Sequence, residues 1–150
     1  MSASITPMTI VLLILAVLMI VGPQIVQRMI SPQIQSLYSQ HKNKELLDYL
    51  DKPVVRIAYP KWNVIFMKLN AYLADGDDAN ASRMLDELLA AHSSNEQRKE
   101  LVVKAFDFYI GRGRYDDARA LLPEINQIVD EPRARRCQET YEAHTAPKAK

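Results

Sequence analysis

Two stretches of the sequence share one pattern, AYLADGDDANASRMLDELL at residues 71–89 and FYIGRGRYDDARALLPEI at residues 108–125. In each stretch a tyrosine, a glycine, an alanine and a leucine follow one another at spacings of 4, 5 and 4 residues, and the two series lie 37 residues apart. A fixed internal period of this size indicates that one structural unit occurs twice. The aligned residues are Tyr72, Gly76, Ala81 and Leu85 in the first stretch, and Tyr109, Gly113, Ala118 and Leu122 in the second.

Helical periodicity runs through and around both stretches. Ile65, Leu69 and Tyr72 recur at positions i, i+4 and i+7, a spacing that places side chains on one face of an α-helix. The nearest candidate for a strand, residues 54–59, is a single segment with proline on both sides, and it is better interpreted as a linker or a short helix. The sequence therefore predicts an all-α fold.

Capping signals predict where the later helices begin. Asp77 is a good N-cap for the helix that follows the first glycine, and Ser93 with Glu96 forms a capping box for the next helix. Pro132 stands at the first position of a last helix, where a missing backbone N–H costs little. That helix places Ala134, Cys137 and Tyr141 on one face.

Residues 109–118 read Tyr-x-x-x-Gly-x-Tyr-x-x-Ala, a pattern that resembles the tetratricopeptide repeat, a helix-turn-helix unit of about 34 residues. The earlier stretch has Asp78 at the second tyrosine and Lys68 at an apolar packing position. Tyr38 lies 34 residues before Tyr72, in a stretch that keeps the helical pattern but lacks the glycine. The resemblance therefore covers two hairpins and, loosely, a third.

The resemblance implies a role for each matching residue. Glycine would reverse the chain between the two helices of a unit, alanine would let those helices approach closely, and tyrosine would fill the space between units. The implied architecture is an α-solenoid of two to three helical hairpins with a C-terminal capping helix, which would keep the end of the array soluble. The repeat-packing residues are Tyr72, Gly76 and Ala81, and Tyr109, Gly113, Tyr115 and Ala118.

The N-terminal 27 residues carry none of the 19 basic and 18 acidic side chains of the chain. Residues 5–26 read ITPMTIVLLILAVLMIVGPQIV and would form a helix of about 33 Å, which matches a bilayer core of about 30 Å. Gly22 and Pro23 would tolerate a kink or the helix exit near its end. No basic residue precedes the apolar run, which argues against a cleaved signal peptide, and the downstream domain is too small to bury such a helix. The segment therefore predicts a single transmembrane helix in the bilayer.

Flanking charge predicts the orientation of this span. No basic side chain precedes it, whereas Arg28, Lys42 and Lys44 follow it closely. By the positive-inside rule, the N-terminus would lie outside the cell membrane and the C-terminal domain in the cytosol. Cys137, the only cysteine, is compatible with that reducing compartment.

These features predict four parts in the chain. Mixed charge after the apolar segment is typical of a solvated helical surface. Residues 1–27 would form the transmembrane anchor, residues 28–61 a degenerate helical hairpin or linker, residues 62–144 the repeats with their capping helix, and residues 145–150 a flexible tail.

No combination of residues predicts catalysis. The three histidines are far apart and none stands at ligand spacing from another histidine or from cysteine, so no metal is expected. The turn with Asp75, Asp77 and Asp78 lacks the other ligands of a calcium loop, and residues 111–114 lack those of a phosphate loop. Residues 28–132 carry 14 basic and 16 acidic side chains, a near-neutral balance that does not indicate nucleic acid as a partner. We therefore predict a protein that is not an enzyme, with no cofactor and no small-molecule substrate.

The predicted function is recognition of another protein. In the family that the chain resembles, partners dock in a concave surface lined by the first helix of each repeat. Asn70 matches the asparagine with which some members hold a peptide, whereas Phe66 and Glu100 stand where a carboxylate clamp would have basic residues. The expected partner is therefore a peptide or helical segment of mixed apolar and polar character. The groove residues implied are Asn63, Phe66, Asn70 and Leu73 in the middle repeat, and Glu100, Val103 and Asp107 in the last.

A second interpretation is structural. The chain could be an accessory subunit of a membrane complex in which the transmembrane helix makes the specific contact and the soluble helices only pack. Replacing the apolar span by an unrelated one would separate the two interpretations, because only the second depends on the side chains of the span itself.

Overall fold

The computed structural model describes residues 7–146, and within that range it contains eight α-helices and no β-strand. The predicted all-α class is confirmed for these residues. Most of the predicted tail, residues 147–150, lies outside the described range. The helices are α1 (Pro7–Ser39), α2 (Asn43–Leu50), α3 (Pro53–Ala58), α4 (Lys61–Asp75), α5 (Asp78–Ala90), α6 (Asn95–Gly111), α7 (Tyr115–Ile128) and α8 (Glu131–Thr145).

α1 is one helix of 33 residues that continues through Pro23 and Pro32. It has no exit at Gly22 and Pro23. Every large apolar side chain from Met8 to Val21 is at least 40% exposed. Its most apolar window has a mean hydropathy of 2.6, and none of that window is buried. The chain thus has an N-terminal helix that is long and apolar enough to span a membrane.

The C-terminal part of α1 belongs to a core that it shares with the helices that follow. The 33 residues of α1 measure about 50 Å. This length exceeds the hydrocarbon core of a bilayer, about 30 Å thick, by about 20 Å. Ile30 and Leu37 in this C-terminal part are buried in a core shared with α2, α3 and α4. One continuous helix, α1, therefore contains both the apolar segment and part of this core.

The chain divides into two compact units, and the division falls between Met84 and Leu85 inside α5. In the first unit α1 packs against α2 and α3, and both of these helices pack against α4. Lys68, predicted at an apolar packing position, is partly buried and forms an ion pair. The polar contacts that join these elements are Ser31 Oγ to Tyr59 OH, Asn43 Nδ2 to Asp75 Oδ1, and Lys68 Nζ to Asp51 Oδ1, each 2.6 Å long.

Three turns in the chain have the same backbone hydrogen bonds. In each turn a residue with positive φ donates its N–H to the carbonyl three residues before it, and the next N–H donates to the carbonyl five residues before that donor. Helices commonly end in this way, because a left-handed residue satisfies carbonyls that the helix leaves unpaired. The positive-φ residues are His41 (54°), Gly76 (70°) and Gly113 (70°), and the carbonyls five residues back belong to Leu37, Tyr72 and Tyr109.

The first of these turns shifts the alignment of the earliest unit by one residue. The sequence pairs Tyr38 with Tyr72, but the equivalent hydrogen bond is accepted by Leu37, 35 residues before Tyr72. Leu37 is 8% exposed and Tyr38 is 48% exposed. Burial of the leucine thus decides the register, and His41 takes the place of the missing glycine.

In the second unit α6 packs against α7 and α8, and α7 also packs against α8. The predicted capping box before α6 is wrong by one residue. Ser94, not Ser93, is the N-cap: its Oγ accepts the N–H of Gln97 at 3.3 Å, and Gln97 Oε1 accepts the N–H of Ser94 at 3.0 Å. Two adjacent serines offer the same cap, and the position at which the chain enters the helix selects between them.

Candidate functional site

Four of the predicted groove residues lie on one face of α4. Their spacing of 3, 4 and 3 residues follows the helix period, and each of the four side chains is partly exposed. Val64, Ile65 and Leu69, at neighbouring positions, are buried. The amphipathic pattern of α4 therefore brings the four side chains together at the surface. They are Asn63, Phe66, Asn70 and Leu73.

An aromatic pair stands at the start of this face. Trp62, the only tryptophan, stacks on Phe66 with the ring centroids 4.9 Å apart and an interplanar angle of 13°. The indole Nε1 of Trp62 is buried and has no hydrogen-bond partner among the described residues. Packing rather than a polar contact therefore holds the indole. Trp62 is not among the predicted groove residues, although aromatic residues at i and i+4 on a helix are a signal for such a pair.

The other predicted face lies on α6, where α8 contacts it. Glu100, Val103 and Asp107 follow the helix period. Arg133 Nη1 lies 3.1 Å from Glu100 Oε1, and Arg136 Nη2 lies 3.9 Å from Asp107 Oδ2. Val103 between them is buried. α8 thus contacts the α6 face that the resemblance assigns to a partner.

The electrostatics of this face do not favour nucleophilic chemistry. Burial raises the pKa of the Cys137 thiol, and the charge of Asp107 acts in the same direction. Cys137 is 1% exposed. Burial also raises the pKa of the Asp107 carboxyl, while Arg136 and Lys104 oppose that effect. Because the thiolate is the reactive form of cysteine, a buried thiol with a raised pKa acts as a packing residue.

Arg98 joins the ends of three helices in the second unit. Its Nε and Nη2 donate to the two carboxylate oxygens of Glu124 at 2.5 and 2.9 Å, and its Nη1 donates to the carbonyl of Leu89 at 2.7 Å. The hydrogen bonds from Arg98 hold the pKa of the Glu124 carboxyl below its usual value. The planar guanidinium fits this arrangement because it offers several donors in a fixed fork.

The predicted repeat-packing residues lie in the turns and on the helices beside them. Gly76 and Gly113 have positive φ, which side chains of L-residues rarely adopt. The Arg114 guanidinium lies 4.5 Å from the centroid of the Tyr109 ring. Burial of the set is graded: Ala81, Ala118 and Tyr109 are buried, and Tyr72 and Tyr115 are half-buried.

The two parts of the predicted groove belong to different units. The α4 residues lie in the first unit and the α6 residues in the second, and each set forms a face by itself. Among residues 7–146, no group of three or more His, Cys, Asp or Glu side chains is arranged to hold a metal ion. Comparison with protein-family models, with curated proteins and with solved structures finds no match for this chain.

Proposed function

We propose that this chain is a single-pass membrane protein whose helical hairpins bind a protein partner at the cytosolic face. The observation that carries the proposal is the recurrence of one turn geometry at residues 37–42, 72–77 and 109–114. Many helices end in such a turn, but these three recur 35 and 37 residues apart, close to the period of about 34 residues of a tetratricopeptide repeat, and that spacing supports a tandem array of hairpins. Arrays of this kind offer extended concave surfaces to their partners.

The α4 face is the part of the predicted groove that the partner would contact most strongly. Tryptophan and other aromatic side chains contribute a large share of the energy at protein interfaces. The Trp62–Phe66 pair and the amide of Asn70 would supply an apolar anchor and a polar contact on one helix. On α6, by contrast, Arg133 and Arg136 of α8 already contact Glu100 and Asp107 of the predicted face.

Site-specific photo-crosslinking in intact cells tests this surface. A photoreactive amino acid at position 70 would crosslink to the partner, and the same amino acid at position 86, an exposed site on α5, would serve as the control. The double variant Phe66→Ala with Asn70→Ala should lose the partner in a mild-detergent pull-down. Arg83→Ala with Asp86→Ala on α5 should retain it. If both double variants retain the partner equally, the α4 face is not the binding surface.

The proposed orientation is tested separately by cysteine labelling. In a Cys137→Ala background, Ser2→Cys should react with a membrane-impermeant reagent in intact cells, and Asn126→Cys on α7 should react only after permeabilisation. The reverse order of labelling would place the helical hairpins outside the cell and refute the cytosolic part of the proposal.

The alternative, a structural accessory subunit, is favoured by a different observation. None of the apolar window of α1 is buried, so its side chains are available to another transmembrane helix. Replacing residues 5–27 with an unrelated apolar span should abolish complex formation if this function is correct. Under the first proposal the same replacement should leave partner binding unchanged.

A further inference from the structure

α3 has an apolar face that no other described element covers. Val55 and Ala58 are buried in the core of the first unit, whereas Val54 and Ile57 are exposed, Ile57 by 66%. The two exposed side chains are three residues apart and so lie on one side of this short helix. Because Val55 and Ala58 fix one side of α3 in the core, the Val54 and Ile57 side is presented to the surroundings.

Contacts along α1 show how far α3 lies from the end of the apolar span. The turn at His41 sends α2 back along the last part of α1, and α3 follows α2 in the chain. Ser31 Oγ on α1 lies 2.6 Å from Tyr59 OH, at the residue after α3. Val26, one and a half turns earlier, is partly buried against the same core as Val55. α3 therefore packs at the level of residues 26–31 of α1.

This level would be the edge of a bilayer crossed by α1. The uncharged part of the sequence ends at residue 27, and Arg28 is the first charged side chain. Residues 26–31 cover about 8 Å of helix, and each headgroup region of a bilayer is about 5–8 Å thick. Ile25 and Met29, also exposed, lie on α1 at this height.

The composition around α3 fits a lipid interface. Lys52 directly precedes α3, and Arg56 lies on it. Arg28 lies on α1 at the same level. Arg56 Nη2 lies 3.7 Å from Asp51 Oδ1, so one of these cations is partly neutralised. Basic residues near the surface attract anionic headgroups, and tyrosines such as Tyr59 are enriched at this depth.

We propose that α3 is an interfacial helix: its Val54 and Ile57 face inserts at the boundary between headgroups and acyl chains of the same bilayer that α1 crosses. This inference rests on the membrane span of the proposed function. The insertion would fix the tilt of the first unit against the membrane. It would add the burial of Ile57 to the apolar contacts of the span, as in other amphipathic helices that lie in the interface.

Nitroxide quenching in vesicles of phosphatidylcholine and phosphatidylglycerol tests the depth of α3. The full chain with Cys137→Ala would carry one fluorophore at Ile57→Cys, at Leu18→Cys within the span, or at Gln40→Cys in the exposed turn about 14 Å beyond Ser31. A nitroxide near the top of the acyl chain should quench position 57 strongly and position 40 weakly. A nitroxide deep in the acyl chain should quench position 18.

The outcomes separate the inference from its premise. Quenching at position 18 with no more quenching at 57 than at 40 would overturn the interfacial helix and leave the span intact. Absence of quenching at position 18 would remove the span and the inference with it. A blue-shifted emission at position 57 without nitroxide quenching would assign this face to a protein contact, and so would also overturn the inference.

A label-free measurement guards against insertion driven by the fluorophore. Trp62 lies in the first turn of α4, three residues after Tyr59, whose hydroxyl contacts Ser31 on α1, so its native emission should also be quenched by the shallow nitroxide. Ile57→Asp should reduce that quenching, and Tyr38→Asp, at another exposed site on the first unit, should leave it unchanged. Equal quenching in both variants would contradict the proposal.

Discussion

His41 and Gly76 occupy the same position in two successive helix turns and share a left-handed backbone, with φ of 54° and 70°. After each, the next N–H reaches back to the carbonyl five residues before it, from Lys42 to Leu37 at 3.0 Å and from Asp77 to Tyr72 at 2.9 Å. The same turn thus forms with histidine at the first place and with glycine at the second. The histidine bears a backbone cost that the glycine avoids.

This difference predicts opposite effects on stability when glycine is removed at position 76 and introduced at position 41. Gly76→Ala should lower the free energy of unfolding by about 1 kcal/mol, since L-residues are strained at positive φ. An added Cβ would meet no atom within 4 Å, so the loss would come from the backbone alone. His41→Gly should raise the same free energy, by less than about 1 kcal/mol because glycine also gains freedom in the unfolded chain. Urea unfolding of the full chain in detergent measures both, and an unaffected Gly76→Ala variant would contradict a left-handed backbone at position 76.

Asn43 links the first turn to the second, and its loss should destabilise the first unit. Its side chain is buried and donates to Asp75 at 2.6 Å, from the start of α2 to the end of α4. Asn43→Ala should cost about 1.5–3 kcal/mol, the usual range for a hydrogen bond to a charged group. Lys44→Ala at the exposed neighbouring position is the matched control and should cost less than about 0.5 kcal/mol. Equal unfolding midpoints for the two variants would show that the contact contributes nothing.

The Arg98–Glu124 pair predicts an acid sensitivity of the second unit. The pKa of Glu124 is lowered in the folded chain, first by its hydrogen bonds with Arg98, from a reference value of 4.5. The stabilisation is therefore complete above the unfolded pKa and is lost as the pH falls through the folded pKa. Glu124→Gln should lower stability at neutral pH and flatten its decline below about pH 4.5. Thermal unfolding of both chains across that range measures the effect, and parallel pH profiles would rule out a contribution from this pair.

Cys137 reports whether α8 stays docked. Its thiol is buried, and burial raises its pKa, so alkylation of the native chain should be much slower than that of an exposed cysteine. Ala134→Glu would place a charge on the buried face of α8 and should accelerate alkylation. Arg135→Glu, on the exposed face, is the control and should leave the rate unchanged. If Cys137 reacts rapidly in the unaltered chain, α8 opens readily and the α6 face becomes accessible.

Several features of this protein follow from local sequence. The uncharged apolar run predicts an N-terminal helix that could span a membrane, because length and composition alone satisfy that requirement. Periodic leucines and aromatic residues predict an all-α chain, and Asp77 is an N-cap as expected, since its Oδ1 accepts the N–H of Asn80 at 3.1 Å. Gly76 and Gly113 mark turns because few other residues adopt positive φ.

Other features depended on packing between distant residues. Leu37 rather than Tyr38 sets the first turn because the leucine is buried in a core assembled from four helices, which no short pattern contains. Ion pairs between α8 and α6, such as Arg133 with Glu100 across 33 residues of sequence, form only once the helices pack. The sequence by itself determined that the fold is all-α. The tertiary structure decided which faces those helices cover, because burial is a property of the assembled core and not of any one segment.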